Sequence, residues 1–384
     1  MSDNTLYNSV NSSPPDGGFW DTHPLLKEFT RDQLPIIAGV FMLAVAASYL
    51  QNGFVPGGDN AFPIAGVKIP IWHLVWMGFW TGYTMGLVGE ASGIFSLPYT
   101  ISILQFTNVA VSPTSLITTF LNPFGALLGF YRGRQWNLDL ALWLCLGAVL
   151  GSPIGPVIRV YLLDDPVPFK AVIGLCLILM AIHLFIQIMP WYLKKTDRQR
   201  AFKMKFDEMV KQRAAAGRAP SGLPEDFRIL TLERSLKRVR IGYWGVEQSL
   251  SVPMMLAAGF IVGVVASALG VGGGFILVPI LVSFYGMPLY VLVAATIPFV
   301  ITLSFTGLIT YTVTLPLLTG ADQTIPDWGF GLFVASGAIL GAWIASKTQK
   351  FVPEKYLKPM LGTVTGAVGL LYAINYFWPL PFDV

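Results

Sequence analysis

The stretch Gly270-Val271-Gly272-Gly273-Gly274-Phe275-Ile276-Leu277-Val278-Pro279 ends one apolar run and opens a short second one. Glycine clusters are poor helix formers, so they leave main-chain N–H groups without intrahelical partners. In hydrocarbon such groups must be met by protein, by water or by a ligand. Free amides at a helix start, with the positive end of its dipole behind them, suit an anion. The dipole contributes about 0.3–2 kcal/mol, so further donors must share the work. Glycine also lets helices approach closely. For Gly272–Gly274 the sequence leaves packing and ligand binding both open, whereas for the isolated Gly82 and Gly263 packing is the simpler account.

A related break, Gly89-Glu90-Ala91-Ser92-Gly93, precedes another short apolar run. An ionised Glu90 beside an anion site would repel its ligand, and a protonated one would admit it and couple proton movement to transport. The alternative places Glu90 at a wet hairpin tip near the cytoplasmic surface. Hydroxyl and amide side chains follow both breaks: Thr114, Ser115, Thr118, Thr119 and Asn122 in the first half, Thr296, Thr302, Ser304 and Thr306 in the second. Singly, such residues bond back to their own helix carbonyls. Facing one cavity, they become oxyanion donors. The binding candidates are therefore Gly89, Glu90, Gly93, Thr114, Ser115, Asn122, Gly270, Gly272, Gly273, Gly274, Thr296 and Ser304.

Other chemistries find little support. The chain has no His-Glu-x-x-His pair, no Ser/His/Asp set, no clustered metal ligands and no Walker-type phosphate loop. The expectation is no catalytic residue, no metal and no cofactor. Of the three histidines, His23 lies in a polar tail and His73 near a helix end. His183 shares a helix face with Gln187, and bridging to a neighbouring helix explains the pair more simply than lining a cavity. Cys145 and Cys176 lie in apolar runs and read as buried thiols.

These residues are carried by a chain with 54% hydrophobic and 12% charged residues and a mean hydropathy of +0.62, against about 25% charged in soluble domains. Apolar runs predict helices at 34–50, 71–88, 94–105, 109–130, 138–160 and 170–192, then at 252–269, 275–285, 289–318, 328–346 and 353–377. A span needs about 20 residues. The runs 94–105 and 275–285 fall short of that and read as partial helices. Residues 1–33 are polar, without the basic start and apolar core of a cleaved signal peptide.

The two halves resemble each other. Gly78, Gly82, Gly89, Gly93 and Pro98 align with Gly259, Gly263, Gly270, Gly274 and Pro279 at an offset of 181. Thr114 and Gly125 align with Thr296 and Gly307 at 182, and Gly147–Gly151 with Gly337–Gly341 at 190. Offsets that change only between helices are what loop insertions produce. Each copy holds five apolar elements, and an odd number inverts the second. With the amino terminus inside, the inside segments hold 22 of the 25 Lys and Arg, leaving Lys68, Arg159 and Lys170 outside, as the positive-inside rule requires. The expected fold is an all-α polytopic membrane protein with two inverted five-element helical repeats, one extra N-terminal helix, and broken or partial helices. Its segments are a polar cytoplasmic tail (1–33), the extra helix (34–50), repeats at 70–192 and 252–377, a basic cytoplasmic linker (193–251) and a short tail (378–384).

Gly-x-Gly-Gly-Gly with Pro279 five residues on, followed by Ala294-Ala295-Thr296, resembles the sulfite exporter TauE/SafE family. The resemblance covers both repeats. The first copy departs from the glycine pattern, while its Ser112-Pro113-Thr114-Ser115-Leu116 resembles the family's Thr-Ser element. That resemblance implies a multi-pass protein of the cell membrane, the inner one in a Gram-negative source. It implies export of sulfite or an organosulfonate as the small anionic solute, with two unequal half-sites.

Fourteen of the Lys and Arg lie between Lys194 and Arg240, so the net charge of +4 belongs to one loop and says nothing of nucleic acid. Phe202, Phe206, Met209 and Val210, and again Ile229, Leu232, Leu236 and Val239, recur at helical spacing. Two amphipathic helices against anionic membrane lipid would fit, and so would a solvated linker. The alternative to a transporter is a membrane scaffold or sensor that binds a partner through this loop. Solute flux distinguishes the two. The oligomeric state has no signature in the sequence.

Overall fold

In lipid, backbone groups must bond within their own segment, so uncharged apolar runs become helices. The computed structural model describes residues 24–52, 54–88, 93–132, 137–186, 189, 229–243, 246–285, 289–320, 324–348 and 354–378. The first half holds α1 (Pro24–Glu28), a π-helical turn (Phe29–Gln33), α2 (Leu34–Asn52), the hairpin β1 (Asp59–Phe62) and β2 (Val67–Pro70), α3 (Ile71–Val88) and α4 (Gly93–Pro98). A π turn (Tyr99–Ile103), α5 (Val111–Arg132), α6 (Leu138–Gly151), α7 (Ile154–Tyr161) and α8 (Pro166–Ile186) follow. The second half holds strands β3 (Leu230–Arg234), β4 (Arg238–Tyr243) and β5 (Val246–Ser251), then α9 (Val252–Leu269), α10 (Gly274–Tyr285) and α11 (Leu289–Ile309). A π turn (Thr310–Thr314), α12 (Leu315–Thr319), α13 (Trp328–Thr348) and α14 (Glu354–Phe377) complete it. The chain is an all-α polytopic membrane protein: among the described residues, seven helices are long and apolar enough to cross a bilayer. Their outward side chains fit lipid, since Met42, Leu43, Leu317 and Phe377 are all more than 60% exposed.

Three departures from the sequence expectation have physical causes. Helix formation begins at Pro24 rather than Leu34, because the buried Gln33 donates its Nε2 to Gly125 O at 3.1 Å and Glu28 pairs with Lys347 at 2.7 Å. The run 138–160 breaks at Ser152-Pro153, which separates α6 from α7. Residues 229–243 and 246–251 form no amphipathic helix. They form an antiparallel sheet ordered β3-β4-β5. Val239 and Ile241 are fully buried while Arg238 and Arg240 face out, the period of two that a half-buried strand shows. Arg234 pairs with Asp139 at 3.0 Å and Asn137 donates to Ile229 O at 3.3 Å, tying the sheet to the start of α6. Residues 202–210, the other expected amphipathic stretch, and Gln187 lie outside the described residues.

Small residues set the helix packing. On α3, Gly78, Gly82 and Gly86 meet Val334, Ala338 and Ala342 of α13, while Gly337 and Gly341 of α13 meet Val75 and Phe79. The numbers rise together, so these helices run parallel. On α6, Gly147 and Gly151 meet Phe260 of α9, while Gly259 and Gly263 of α9 meet Leu144 and Ala148; this pair is parallel too. By contrast α8 and α14 run antiparallel, with Gly174 near Tyr372 and Gly362 near Leu184. So do α5 and α11, where Gly307 meets Leu116 and Thr119 bonds Ser304. Backbones this close gain dispersion contacts, which must drive association where the surrounding lipid is as apolar as the helices.

Candidate functional site

The end of α9 shows why the glycines stand where they do. Gly270 caps the helix at φ +81°, its N–H bonding Ala266 O at 2.8 Å and that of Val271 the same oxygen at 3.1 Å, a Schellman-type ending that needs a left-handed residue. Gly272 and Gly273 also have positive φ, +79° and +67°. The chain turns through Gly274 N–H to Gly272 O (2.8 Å) and enters α10 with Leu277 N–H on Gly273 O (3.0 Å). The N–H groups of Gly272, Gly273 and Phe275 have no acceptor among the described residues. All three residues are buried.

The start of α4 meets the glycine turn. A Cβ on Gly93, at the start of α4, would stand 2.6 Å from Val271 Cα and 3.0 Å from Gly270 O. A Cβ on Gly270 would stand 2.8 Å from Ser112 Cα, at the start of α5. The first turn of α5 is thus wedged against the glycine turn.

On its other side that turn of α5 faces a buried cavity of about 10 Å³, the size of one water. It is lined by Met77 of α3, Ser96 of α4, Thr100 of the π turn after it, Phe106 of the connection that follows, Val111, Thr114, Ser115 and Thr118 of α5, and Phe330 and Val334 of α13. Five hydroxyls and no charged group form this wall. Three donate to main-chain carbonyls: Ser96 to Gly93 O (3.3 Å), Thr100 to Ser96 O (2.8 Å) and Thr118 to Gly331 O (3.2 Å). Thr114 instead accepts the Asp327 N–H at 2.9 Å, which leaves its own proton to give. Ser115 Oγ is buried with no partner in the described structure. Thr114 and Ser115 are therefore the two hydroxyls with a donor to spare.

Asp327 caps α13, accepting the Phe330 N–H at 3.1 Å and the Ala65 N–H at 3.2 Å. It lies just ahead of the spanning segment of α13. Burial raises its carboxyl pKa, against the backbone hydrogen bonds that lower it. Through Thr114 it joins the β1–β2 connection to the cavity wall.

The sequence candidates fall into groups. Thr114 and Ser115 line the cavity, Gly93 touches the glycine turn, and Gly270, Gly272, Gly273 and Gly274 form that turn. The remaining described candidates do not line it. Ser304 bonds Thr119 at 3.0 Å, Asn122 turns its amide toward Met85 with Oδ1 unpartnered in the described structure, and Thr296 is buried in α11. Gly89 and Glu90 lie outside the described residues. Ser96 and Thr100 were missed, although their spacing of four puts both on one helix face. Arg159 was missed as well: counted only among the cations on the outer side, it lies within the span Leu138–Tyr161 and is fully buried.

The model of the family described as sulfite exporter TauE/SafE matches residues 24–184 and again 74–372. The chain belongs to the sulfite exporter TauE/SafE family. As a member it is a membrane transporter rather than an enzyme, and its substrate class is a small anion. No curated protein and no solved structure matches the chain.

Proposed function

We propose that this TauE/SafE member is a secondary exporter of sulfite or a small organosulfonate, bound at the Thr114/Ser115 wall and moved by alternating access. The observation that carries the reading is the pair of uncommitted hydroxyl donors at that wall, beside the meeting of the start of α4 with the glycine turn at Gly93 and Val271. An oxyanion is larger than a cavity of about 10 Å³, so the halves must part to admit it.

Two inverted repeats supply the means. Their support is the reciprocity of packing: under the repeat alignment α3 corresponds to α9 and α13 to α6. A two-fold axis in the membrane plane then exchanges the parallel pair α3–α13 with the parallel pair α9–α6. It returns the antiparallel pairs α5–α11 and α8–α14 to themselves. The site is unequal, because the residues aligned with Ser96, Thr100, Ser115 and Thr118 are Leu277, Leu281, Ile297 and Val300. A polar first half-site is thus matched by an apolar second, which would form a dry seal. Placing the amino terminus and the basic linker in the cytoplasm, with membrane lipid around the helices and proton coupling through Glu90, completes the reading.

Sulfite efflux from proteoliposomes tests it. Each hydrogen bond to a charged partner contributes about 1.5–3 kcal/mol, about 10- to 100-fold in affinity. The combined Thr114→Val and Ser115→Ala variant should raise KM by at least the lower figure, while Ser304→Ala changes it little. Equal KM values in these variants and the wild type would remove the wall from the mechanism.

A further inference from the structure

Arg159 of α7 is 0% exposed and ranks among the largest side chains the fold buries completely. A guanidinium stays protonated in proteins, so a full positive charge sits inside the bundle. Although Arg159 lies near the end of its span, it turns inward and does not reach toward the headgroups as arginines near helix ends commonly do.

Its partners are all neutral. Nε donates to Ser112 Oγ at 3.3 Å and Nη2 to Asn108 O at 3.3 Å, while Nη1 bonds Leu163 O. The guanidinium carbon lies 3.7 Å from the centre of the Phe169 ring. The buried Tyr311 phenol and Asp164 both influence it electrostatically, and Asp164 is exposed and makes no ion pair with it. Among the described residues no carboxylate lies within 4 Å. Three of the five N–H donors of a guanidinium are thereby engaged, and two remain.

Buried charges are ordinarily paired, because an unpaired one is expensive to hold out of water. If Arg159 served only to tie Asn108 and Leu163 together, a neutral donor would do the same work without that cost. Further donors lie nearby. Ser112, which holds Nε, packs its main chain on Gly270, where the turn with the unmatched N–H groups of Gly272, Gly273 and Phe275 begins. The N-terminus of the twelve-residue α10 follows. Thr114 and Ser115 stand two and three residues along α5 from Ser112. The guanidinium and the glycine turn therefore offer donors on one side of the first turn of α5, with the Thr114/Ser115 wall on its other side, and no carboxylate among the described residues pairs with them, an arrangement completed by an anion.

We propose that Arg159, oriented by Ser112 beside the Gly270–Gly274 turn, binds the transported oxyanion and selects for negative charge on its route to the Thr114/Ser115 wall. The inference rests on the anion-transport reading above. Intramembrane ionisable groups are functional by default, and this one has the sign its substrate requires.

The test is sulfite-concentration dependence of efflux in proteoliposomes, joined to thermal unfolding of the purified full chain with and without sulfite. Arg159→Gln keeps an N–H donor and removes the charge. It should raise KM by about 10- to 100-fold, the loss of a charge-assisted hydrogen bond, and abolish the sulfite-induced rise in Tm while leaving the ligand-free Tm close to the wild type's. Arg159→Lys, which keeps the charge, should restore most of the affinity. A wild-type KM and a wild-type sulfite shift in Arg159→Gln would overturn the proposal while leaving the transport reading intact. Should Arg159→Gln fail to insert, Ser112→Ala decides: a raised KM supports the proposal and an unchanged KM overturns it. No flux of any oxyanion through the wild type would sink the transport reading, and this inference with it.

Discussion

Replacing Gly270 by alanine separates two costs that the glycine turn avoids. The first is conformational: at φ +81° a residue with a Cβ is strained by about 1–2 kcal/mol. The second is steric, since the new methyl would stand 2.8 Å from Ser112 Cα and 3.0 Å from Ser112 C, main-chain atoms that cannot rotate away. Forcing such an overlap typically costs a further 1–3 kcal/mol, about 2–5 kcal/mol in all. Gly320 is the control. Its φ is +66° and a Cβ there meets nothing within 4 Å, so Gly320→Ala should lose only the first amount. Unfolding titrations with SDS in mixed micelles compare the two variants with the wild type, and sulfite efflux follows in the same preparations. Gly270→Ala should be the less stable by about 1–3 kcal/mol and the slower transporter, because the collision pushes α5 away from the turn. Equal stability of the two variants would refute the claim that the wedge of α5 against Gly270 holds this site together.

Gly337→Val places side-chain atoms against Val75 and Phe79 main chain of α3 and should prevent stable insertion, read as loss of the monodisperse species on size exclusion, whereas Gly39→Val, with open space around it, should not. Asp327, with its carboxyl pKa raised by burial, binds protons more tightly folded than unfolded. Its contribution to stability is therefore full at low pH and is lost as pH rises from the unfolded value through the folded one. Asp327→Asn should remove that slope, and by turning an amide toward a backbone N–H should cost about 1–3 kcal/mol; the pH dependence of Tm checks both. Glu90→Gln should abolish the pH dependence of sulfite efflux, and an unchanged profile would exclude Glu90 from coupling.

The helices were legible because uncharged apolar runs have one outcome in lipid, and the glycine turn because three positive-φ positions demand the residue they carry. Other features were hidden by partners distant in sequence. Gln33 joins a helix through a polar stretch only because Gly125 O is there to receive it. The sheet at 229–251 carried its own signal in the alternation Arg238-Val239-Arg240-Ile241, which competed with the coincidental helical spacing of Ile229, Leu232, Leu236 and Val239. Within the site, glycine and hydroxyl types marked the right segments, but type alone could not rank the hydroxyls. Thr118 and Thr100 spend their protons on carbonyls, whereas Thr114 and Ser115 do not. Arg159 was hidden by position, since a cation near the end of an apolar run looks like a loop residue until the side chain is seen to turn inward.

Alternating access through the wall of Thr114 and Ser115 is tested most directly by a single cysteine in place of Ser115, in a chain whose Cys145 and Cys176 are replaced by alanine. The variant is reconstituted and exposed to a membrane-impermeant thiol reagent from one side at a time. The account predicts labelling from either face, slowed by sulfoacetate. Labelling from neither face, or from one face only and unaffected by sulfoacetate, would contradict it.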